Sequence, residues 1–282
     1  MSPRDHVPLR SRSSSRSGSR ITSYAHRVTR RDFDILVELY EHRVLTTPQI
    51  YELHFDTHTR ASKRMLELYR LGLVERFRPH TPTGSAPWHY VLDEPGARLV
   101  AARQEIDFKD FTFKKARVFD VVGSPRLRHR VECNGFFARL TLACRRRGWR
   151  LEWTGERRAT ASWDSIITPD GIGRIVADDR EISFFLEYDR GTENHDQLEN
   201  KTARYRLVGR IARSEDALLF VFPNAARERY ARSALVGSSV PIATAVRNEV
   251  LRHPFAPVWL TLLDDRRRMI LDLPRAPRDK PG

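Results

Sequence analysis

Apolar residues fall at helical spacing from about residue 29 and then switch to strand spacing. Phe33, Leu36, Val37 and Tyr40 recur at i, i+3, i+4 and i+7, one stripe of an amphipathic helix. Thr29 or Asp32 is placed to cap it. A short second helix is predicted within Val44–Phe55, with Thr47 as N-cap and Pro48 at the first helical position, where an N–H is not needed. A third, about Thr57 to Leu71, turns Ala61, Met65 and Leu68 inward, with Leu66 and Tyr69 widening the apolar face. It stops at Gly72, a C-terminal breaker. Leu73–Arg78 then alternates as a strand, Pro79–Pro87 is rich in turn residues, and Trp88–Leu92 alternates again.

Three helices followed by a basic two-stranded ribbon make the winged helix-turn-helix pattern, here closed by a helix at Gly96–Ala102. The second half opens with a long helix, about Leu127 to Arg147. Strands are expected at Trp149–Trp153, Trp163–Thr168 and Ile182–Asp189, then a helix at Glu193–Val208 and a strand at Ala217–Phe222. Additions follow: a helix near Ala226–Leu235 and strands at Val240–Ala245 and Val258–Leu262. The expected class is α+β, with a disordered Arg/Ser-rich arm at 1–28, a winged helix at 29–102 and a connector at 103–126. An α/β domain of αβββαβ order is expected at 127–265, and a basic Pro-rich tail at 266–282. The arm has no hydrophobic period; it reads as a non-specific phosphate contact or as a solvated tail.

Charge sharpens this picture. Lys and Arg number 50 against 36 acidic residues, a formal net charge of +14, which concentrates polyanions and speeds encounter with them. Double-stranded DNA is the expected partner, although an Arg-rich proteome would leave the same excess. No apolar run approaches the roughly 20 residues of a membrane span, and no apolar stretch follows the basic N-terminus, so the expectation is a cytoplasmic protein with no membrane partner. Cys133 and Cys144, in one predicted helix, would sit about 16 Å apart along it, too far for a disulfide. No CxxC pair suggests zinc.

In a helix-turn-helix the second helix of the motif enters the major groove. Here it carries Thr59, Arg60, Lys63, Arg64 and Arg70 outward, and Arg60, Lys63 and Arg64 share a face by i+3/i+4 spacing. The ribbon adds Arg76, Arg78, His80 and His89. The same module also serves as a protein-docking unit with a solvated basic face.

The second half carries a different chemistry. Glu187 and Asp189 are two apart on a predicted strand and so face one way. Asp170 is read at the end of the preceding strand, before a Gly171-Ile-Gly173 turn, so that a hairpin sets it beside Glu187. Converging carboxylates are the usual cradle of Mg²⁺. On the next helix Gln197, Lys201 and Tyr205 are spaced by four and share a face, from which Lys201 can turn to the carboxylates. Two other readings stay open: an ordinary Pro-Asp turn, and a structural network with Arg174, Arg190 or Arg204. His54 and His58 have no third ligand, and His129, with Glu132 or Asn134 nearby, reads either as facing the site or as a lone helical histidine in a packing or hydrogen-bonding role.

Thr168-Pro-Asp170, the Glu187 strand and the αβββαβ order over about 127–222 resemble the restriction-endonuclease-like nuclease fold, whose signature is P-D, a gap, then Asp/Glu-x-Lys. The resemblance implies Asp170 as the first acid, Glu187 as the second, and Mg²⁺ as cofactor. The lysine slot holds Asp189. In some members of that fold the lysine comes from the following helix, which would give the part to Lys201.

The chain as a whole resembles the replication-relaxation family of actinobacterial and mobile-element proteins. The resemblance rests on Glu41-His-Arg-Val-Leu-Thr-Thr-Pro-Gln-Ile50, Arg70-Leu-Gly-Leu-Val-Glu-Arg-Phe77 and Gly84-Ser-Ala-Pro-Trp-His-Tyr-Val-Leu92. It also rests on His129 with Asn134 and Phe136-Phe137, and on Phe184-Phe-Leu-Glu-Tyr-Asp-Arg-Gly-Thr-Glu193. It implies a role in plasmid or integrative-element replication, relaxation or transfer. A conjugative relaxase would show a Tyr nucleophile with three clustered His residues, and no such cluster is present. Two functions are therefore expected: a DNA-binding protein with a nuclease-like second domain, active or inactive, or a non-enzymatic regulator whose second domain forms a homodimer or docks replication or transfer proteins.

Overall fold

A computed structural model describes residues 27–81, 84–212, 216–262 and 265–274. The expected arm at 1–26 and the tail from 275 lie outside the described residues. Among the described residues the fold is mixed α+β with two sheets, one of three strands and one of seven. The chain divides into two compact units at Asn134–Gly135.

Unit 1 begins with α1 (Arg30–His42). Thr29 is its N-cap, and Asp32 reaches back to the Thr29 backbone N–H, so both expected capping residues act in one capping box. β1 (Leu45–Thr46) follows, then α2 (Thr47–His54) and α3 (His58–Arg70). Thr46, rather than the expected Thr47, caps α2, because Gln49 sits three residues on and closes a second capping box. Thr57 caps α3, and Ala61, Met65 and Leu68 are fully buried. The helix ends on Gly72, at φ +76°. Gly72 N–H donates to Tyr69 O and Leu73 N–H to Leu68 O, the paired bonds of a Schellman stop. β2 (Val74–Phe77) and β3 (His89–Leu92) pair antiparallel, Val74 opposite Leu92 and Phe77 opposite His89. The two-residue β1 adds to the other edge of β3, so the expected ribbon is a three-stranded sheet, β1-β3-β2.

α4 (Glu94–Arg103) closes this part. The stretch read as a connector contains α5 (Lys115–Gly123). Its Val121 joins a buried cluster with Val44, Phe77 and Val91, packed by Val118, Val122, Leu127 and Val131. Asn134, on α6 (Leu127–Arg145), is buried and donates to the carbonyls of His42 and Val44.

Unit 2 is built on a sheet of order β10-β9-β8-β7-β6-β5-β4. β4 (Arg150–Gly155), β5 (Gly171–Ala177) and β6 (Arg180–Tyr188) form an antiparallel meander. α7 (Glu156–Ala161) lies between β4 and β5. α8 (His195–Ala212) then carries the chain to β7 (Ala217–Phe222), which runs parallel to β6. α9 (Ala225–Leu235) leads to β8 (Ile242–Val246), parallel to β7, and α10 (Arg247–Arg252) to β9 (Trp259–Thr261) and β10 (Arg267–Arg268). β7 reads Ala-Leu-Leu-Phe-Val-Phe and is buried at every position, as expected of a parallel strand covered on both faces. On one face Phe184 meets Phe136 and Phe137 of α6. On the other, Phe185 packs with Leu198, Tyr205 and Val208 of α8.

Two expectations change here. Trp163–Thr168 is not a strand; it follows α7 as turns and extended chain. Gly171-Ile-Gly173 is not a turn; it opens β5. The glycines serve close packing: a Cβ at Gly171 would meet Phe137 at 2.5 Å, and one at Gly173 would meet Phe184 at 2.3 Å. Cys133 and Cys144 are both buried, and neither is in a disulfide. Among the described residues no helix is long and apolar enough to cross a membrane.

Candidate functional site

The β5–β6 hairpin sets Asp170 beside Glu187, with Asp170 at the entry to β5 and not at the end of a strand before a glycine turn. Asp170 precedes β5, its N–H donates to Leu186 O at 3.0 Å, and its Oδ2 accepts from Tyr188 N–H at 2.7 Å. It thus bonds to the residues on both sides of Glu187. Glu187 is 3% exposed. Its Oε2 accepts from Lys201 Nζ at 2.9 Å, and its Oε1 from the Tyr205 hydroxyl at 2.6 Å. Lys201 and Tyr205 are one turn apart on α8, the face expected. Lys201 also pairs with Glu193 at 2.7 Å.

Burial pushes the Glu187 carboxyl up to about 7, and the charge of Asp170 adds to the rise, while Lys201 and Tyr205 oppose it. Burial works against the Lys201 charge, but Glu187 and Glu193 outweigh it and hold the ammonium above its ordinary value. Burial and the Glu187 carboxylate raise Tyr205 well above an ordinary phenol. The site therefore combines one poorly solvated, proton-sharing carboxylate with a cation divided between two acids.

Asp189 and Gln197 do not join this group. β6 ends at Tyr188, and the Asp189 carboxylate pairs with Arg227 of α9 at 2.6 Å and accepts from Gly191 N–H. Arg227, not Arg174, Arg190 or Arg204, is thus its partner; Arg174 pairs with Glu152 and Glu181. Gln197 accepts from Asn194 N–H and so closes a cap at the start of α8. Sequence reasoning missed Glu193 and Arg227, which lie too far along the chain from their partners for a local spacing rule to pair them.

The Mg²⁺ that the nuclease resemblance implies calls for hard oxygen ligands. Asp170 and Glu187 offer hard carboxylate oxygens. Beside Lys201, the Glu193 Oε2 atom is buried with no hydrogen-bond partner among the described residues.

In unit 1, Thr59, Arg60, Lys63 and Arg70 are exposed on α3. Arg60 and Lys63 carry no ion pair among the described residues. Arg64 is drawn off this face. Its guanidinium bonds to Asp32 at 2.5 and 2.8 Å, to Glu67 and to Arg27 O. Burial pushes the Asp32 carboxyl up, but donors from Arg64 and Thr29 outweigh it and hold it below the ordinary aspartate value. On the ribbon Arg76 lies over Tyr69 and Trp88, at 4.5 and 4.1 Å, and Arg78 over Trp88 at 4.2 Å. These cation–π contacts fix both side chains against one indole. His80 is exposed, whereas His89 is buried with Nδ1 against Pro87 O, and burial lowers its pKa. His58 stacks on Tyr51. His129 sits 3.6 Å from Cys133 Sγ, and Glu132 pairs with Arg128.

No curated protein matches the chain. The replication-relaxation family model matches residues 36–220, a span that includes α3, the ribbon, Asp170, Glu187 and Lys201. With more than half of its length matched, the chain belongs to the replication-relaxation family.

Proposed function

We propose that the protein is a DNA-binding factor of plasmid or integrative-element replication or relaxation, with a winged helix in unit 1 and a restriction-endonuclease-like, Mg²⁺-dependent nuclease in unit 2. The carrying observation is the convergence of Lys201 on buried Glu187, with Asp170 bonded on both sides of that glutamate. The order α6-β4-β5-β6-α8-β7 supports the fold reading, with α7 as an insertion. Asp170 and Glu187 would hold the ion, which supplies Lewis-acid activation of a phosphodiester. Lys201 lies where it can stabilise negative charge developing on the phosphate. Tyr205 holds the Glu187 carboxylate in place.

The DNA contacts assigned to unit 1 are Thr59, Arg60 and Lys63 on α3, with Arg76 and Arg78 on the ribbon. Arg60→Glu with Lys63→Glu is expected to abolish duplex binding at moderate salt, because both cations become repulsive to phosphate. Incubation with supercoiled and linear DNA plus Mg²⁺ or Mn²⁺ is expected to give cleavage or nicking that Asp170→Ala removes. Absence of cleavage across both metals and both substrates would retire the nuclease reading. One observation favours a second reading, a non-enzymatic regulator: both Glu187 oxygens already have protein donors, as in a structural network. That reading expects duplex binding without cleavage, and unit 2 as a homodimer or docking surface for replication or transfer proteins.

A further inference from the structure

Unit 2 carries a second charged feature, apart from the carboxylates. The C-terminal part of α6 and the segment that links α10 to β9 enclose a cavity of about 330 Å³. Its walls include Arg139, Arg146, Arg147, Arg252 and His253, with Phe255 on one side and no acidic residue. Arg146, Arg147, Arg252 and His253 are exposed, so the cavity opens to solvent. Arg147 is held in place: it donates to Ala143 O at 3.1 Å and lies over Phe255 at 4.9 Å and Trp149 at 5.6 Å. Trp149 in turn meets Phe255 edge-on at 5.0 Å and donates to Asp178.

Basic residues at a helix C-terminus complement the helix dipole, and that accounts for Arg146 and Arg147 just past the end of α6 and for Arg252 at the end of α10 taken singly. It does not account for their convergence. Two helix ends from distant parts of the chain aim like charges into one concave space, and like charges brought together are unfavourable unless an anion lies between them. Guanidinium groups match phosphate geometry with paired donors, and the volume lies at the lower end of small-ligand sites. That is room for a nucleotide-sized piece of a chain beside an aromatic wall.

We infer that this cavity binds a backbone phosphate of a nucleic-acid strand, giving unit 2 its own hold on DNA. Asp178, to which Trp149 is tied, lies at the turn end of the β5–β6 hairpin, whereas Gly171 pairs with Leu186 at the other end, beside Asp170 and Glu187. Seven strand residues separate those ends, roughly 20 Å. The cavity is thus a second contact, and it requires neither cleavage nor the α3 face.

The test is the salt dependence of binding of the full-length protein to a fluorescein-labelled 20-nucleotide strand and to the matching duplex. Arg146→Gln with Arg252→Gln is compared with the wild type and with Arg60→Glu/Lys63→Glu. Both glutamine substitutions are at exposed positions, and circular dichroism and melting checks that the fold is kept. Loss of two arginine–phosphate contacts lowers the slope of log K against log salt by about 1.4 on the single strand and about 1.8 on the duplex. Referred to 1 M, that is about 14-fold weaker binding to the single strand and about 30-fold weaker binding to the duplex at 0.15 M salt. The same drop is expected in the α3-variant background wherever residual binding is measurable, which separates this site from unit 1. An unchanged slope and affinity in the folded double variant, on both probes, overturns the inference. So does tight binding of inorganic pyrophosphate or AMP that the double variant loses while its nucleic-acid binding is unchanged, since the cavity would then serve a free phosphate compound.

Discussion

Glu187→Gln tests the electrostatic description of the candidate site most directly. The glutamate ionises near pH 4.5 in an ordinary setting and near 7 here. Its folded-state pKa is raised, so between those values the folded chain holds a proton that the unfolded chain has released. Stability therefore falls as pH rises through this window. With a folded value near 7, most of a loss on the order of 3 kcal/mol falls between pH 5 and pH 8. Glutamine has nearly the same shape, cannot ionise, and keeps an acceptor for the Tyr205 hydroxyl or for Lys201. Lys201 keeps Glu193 as an ion-pair partner. The variant is thus expected to lack this part of the pH dependence and to be more stable than wild type by about 2 kcal/mol at pH 8. Urea unfolding followed by tryptophan fluorescence suits the measurement, because Trp149, Trp153, Trp163 and Trp259 all lie in unit 2 and Trp88 alone in unit 1. A chain with two units does not have one unfolding free energy, so the comparison is of the unit 2 transition. Equal slopes of stability against pH in wild type and variant from pH 5 to 8 would refute the reasoning. On the nuclease reading the same substitution abolishes cleavage.

The remaining predictions concern the supports of the two units. Arg64→Ala leaves the Asp32 carboxylate, 1% exposed as a side chain, without its cation and is expected to destabilise unit 1 by about 3 kcal/mol. The loss is read as a fall in its melting temperature, and direct weakening of DNA contacts by the folded variant at low temperature would instead make Arg64 a reading residue. Because Asp32 is held below its ordinary value, its contribution to wild-type stability is present above about pH 4 and is lost as pH falls further, so acid unfolding of unit 1 should shift upward in pH in Asp32→Asn. Gly173→Ala places a methyl group 2.3 Å from the Phe184 ring and is expected to cost about 1–3 kcal/mol, measured in unit 2; no loss would mean that Phe184 can turn aside. Replacing Glu187, Lys201 and Tyr205 together by Leu, Met and Phe is expected to keep unit 2 folded with equal or higher stability and to remove cleavage.

Much of the fold was legible because period and punctuation agree. The α3 stripe and its Gly72 stop follow from local rules, and so does the buried run of β7. The misreadings have physical causes. Trp163–Thr168 alternates, but α7 and its turns precede β5, and two glycines that look like a turn instead admit the Phe137 and Phe184 rings. β1 is two residues long and is set by its partner β3, not by its own pattern. Period-two spacing put Glu187 and Asp189 on one face, but the strand ends between them. Arg64 shares the outward spacing of Arg60 and Lys63, yet an aspartate 32 residues earlier in the chain draws it away. Contacts of this kind depend on tertiary packing and leave no periodic trace.

The same distinction bears on how the carboxylate group should be understood. Asp170, Glu187, Lys201 and Tyr205 come from a strand entry, a strand end and one helix, and each has a partner within the group or beside it. A scaffold with no chemistry to perform gains little from this arrangement, since a buried ionisable cluster is commonly neutral or unfavourable against apolar packing of similar volume. Here the balance is unfavourable on its own terms, because burial holds Glu187 partly protonated near neutrality. Asp189 and Arg227 give an internal comparison: that pair is also buried, two residues further along, but it is one acid with one cation and it ties α9 to the end of β6. Lys201 instead serves two acids, and the charge of Asp170 bears on one of them. Buried acid in excess of its cation is a liability to stability that a bound cation would relieve, and on the nuclease reading it makes the group around Glu187, rather than the pair at Asp189, the reactive part of unit 2.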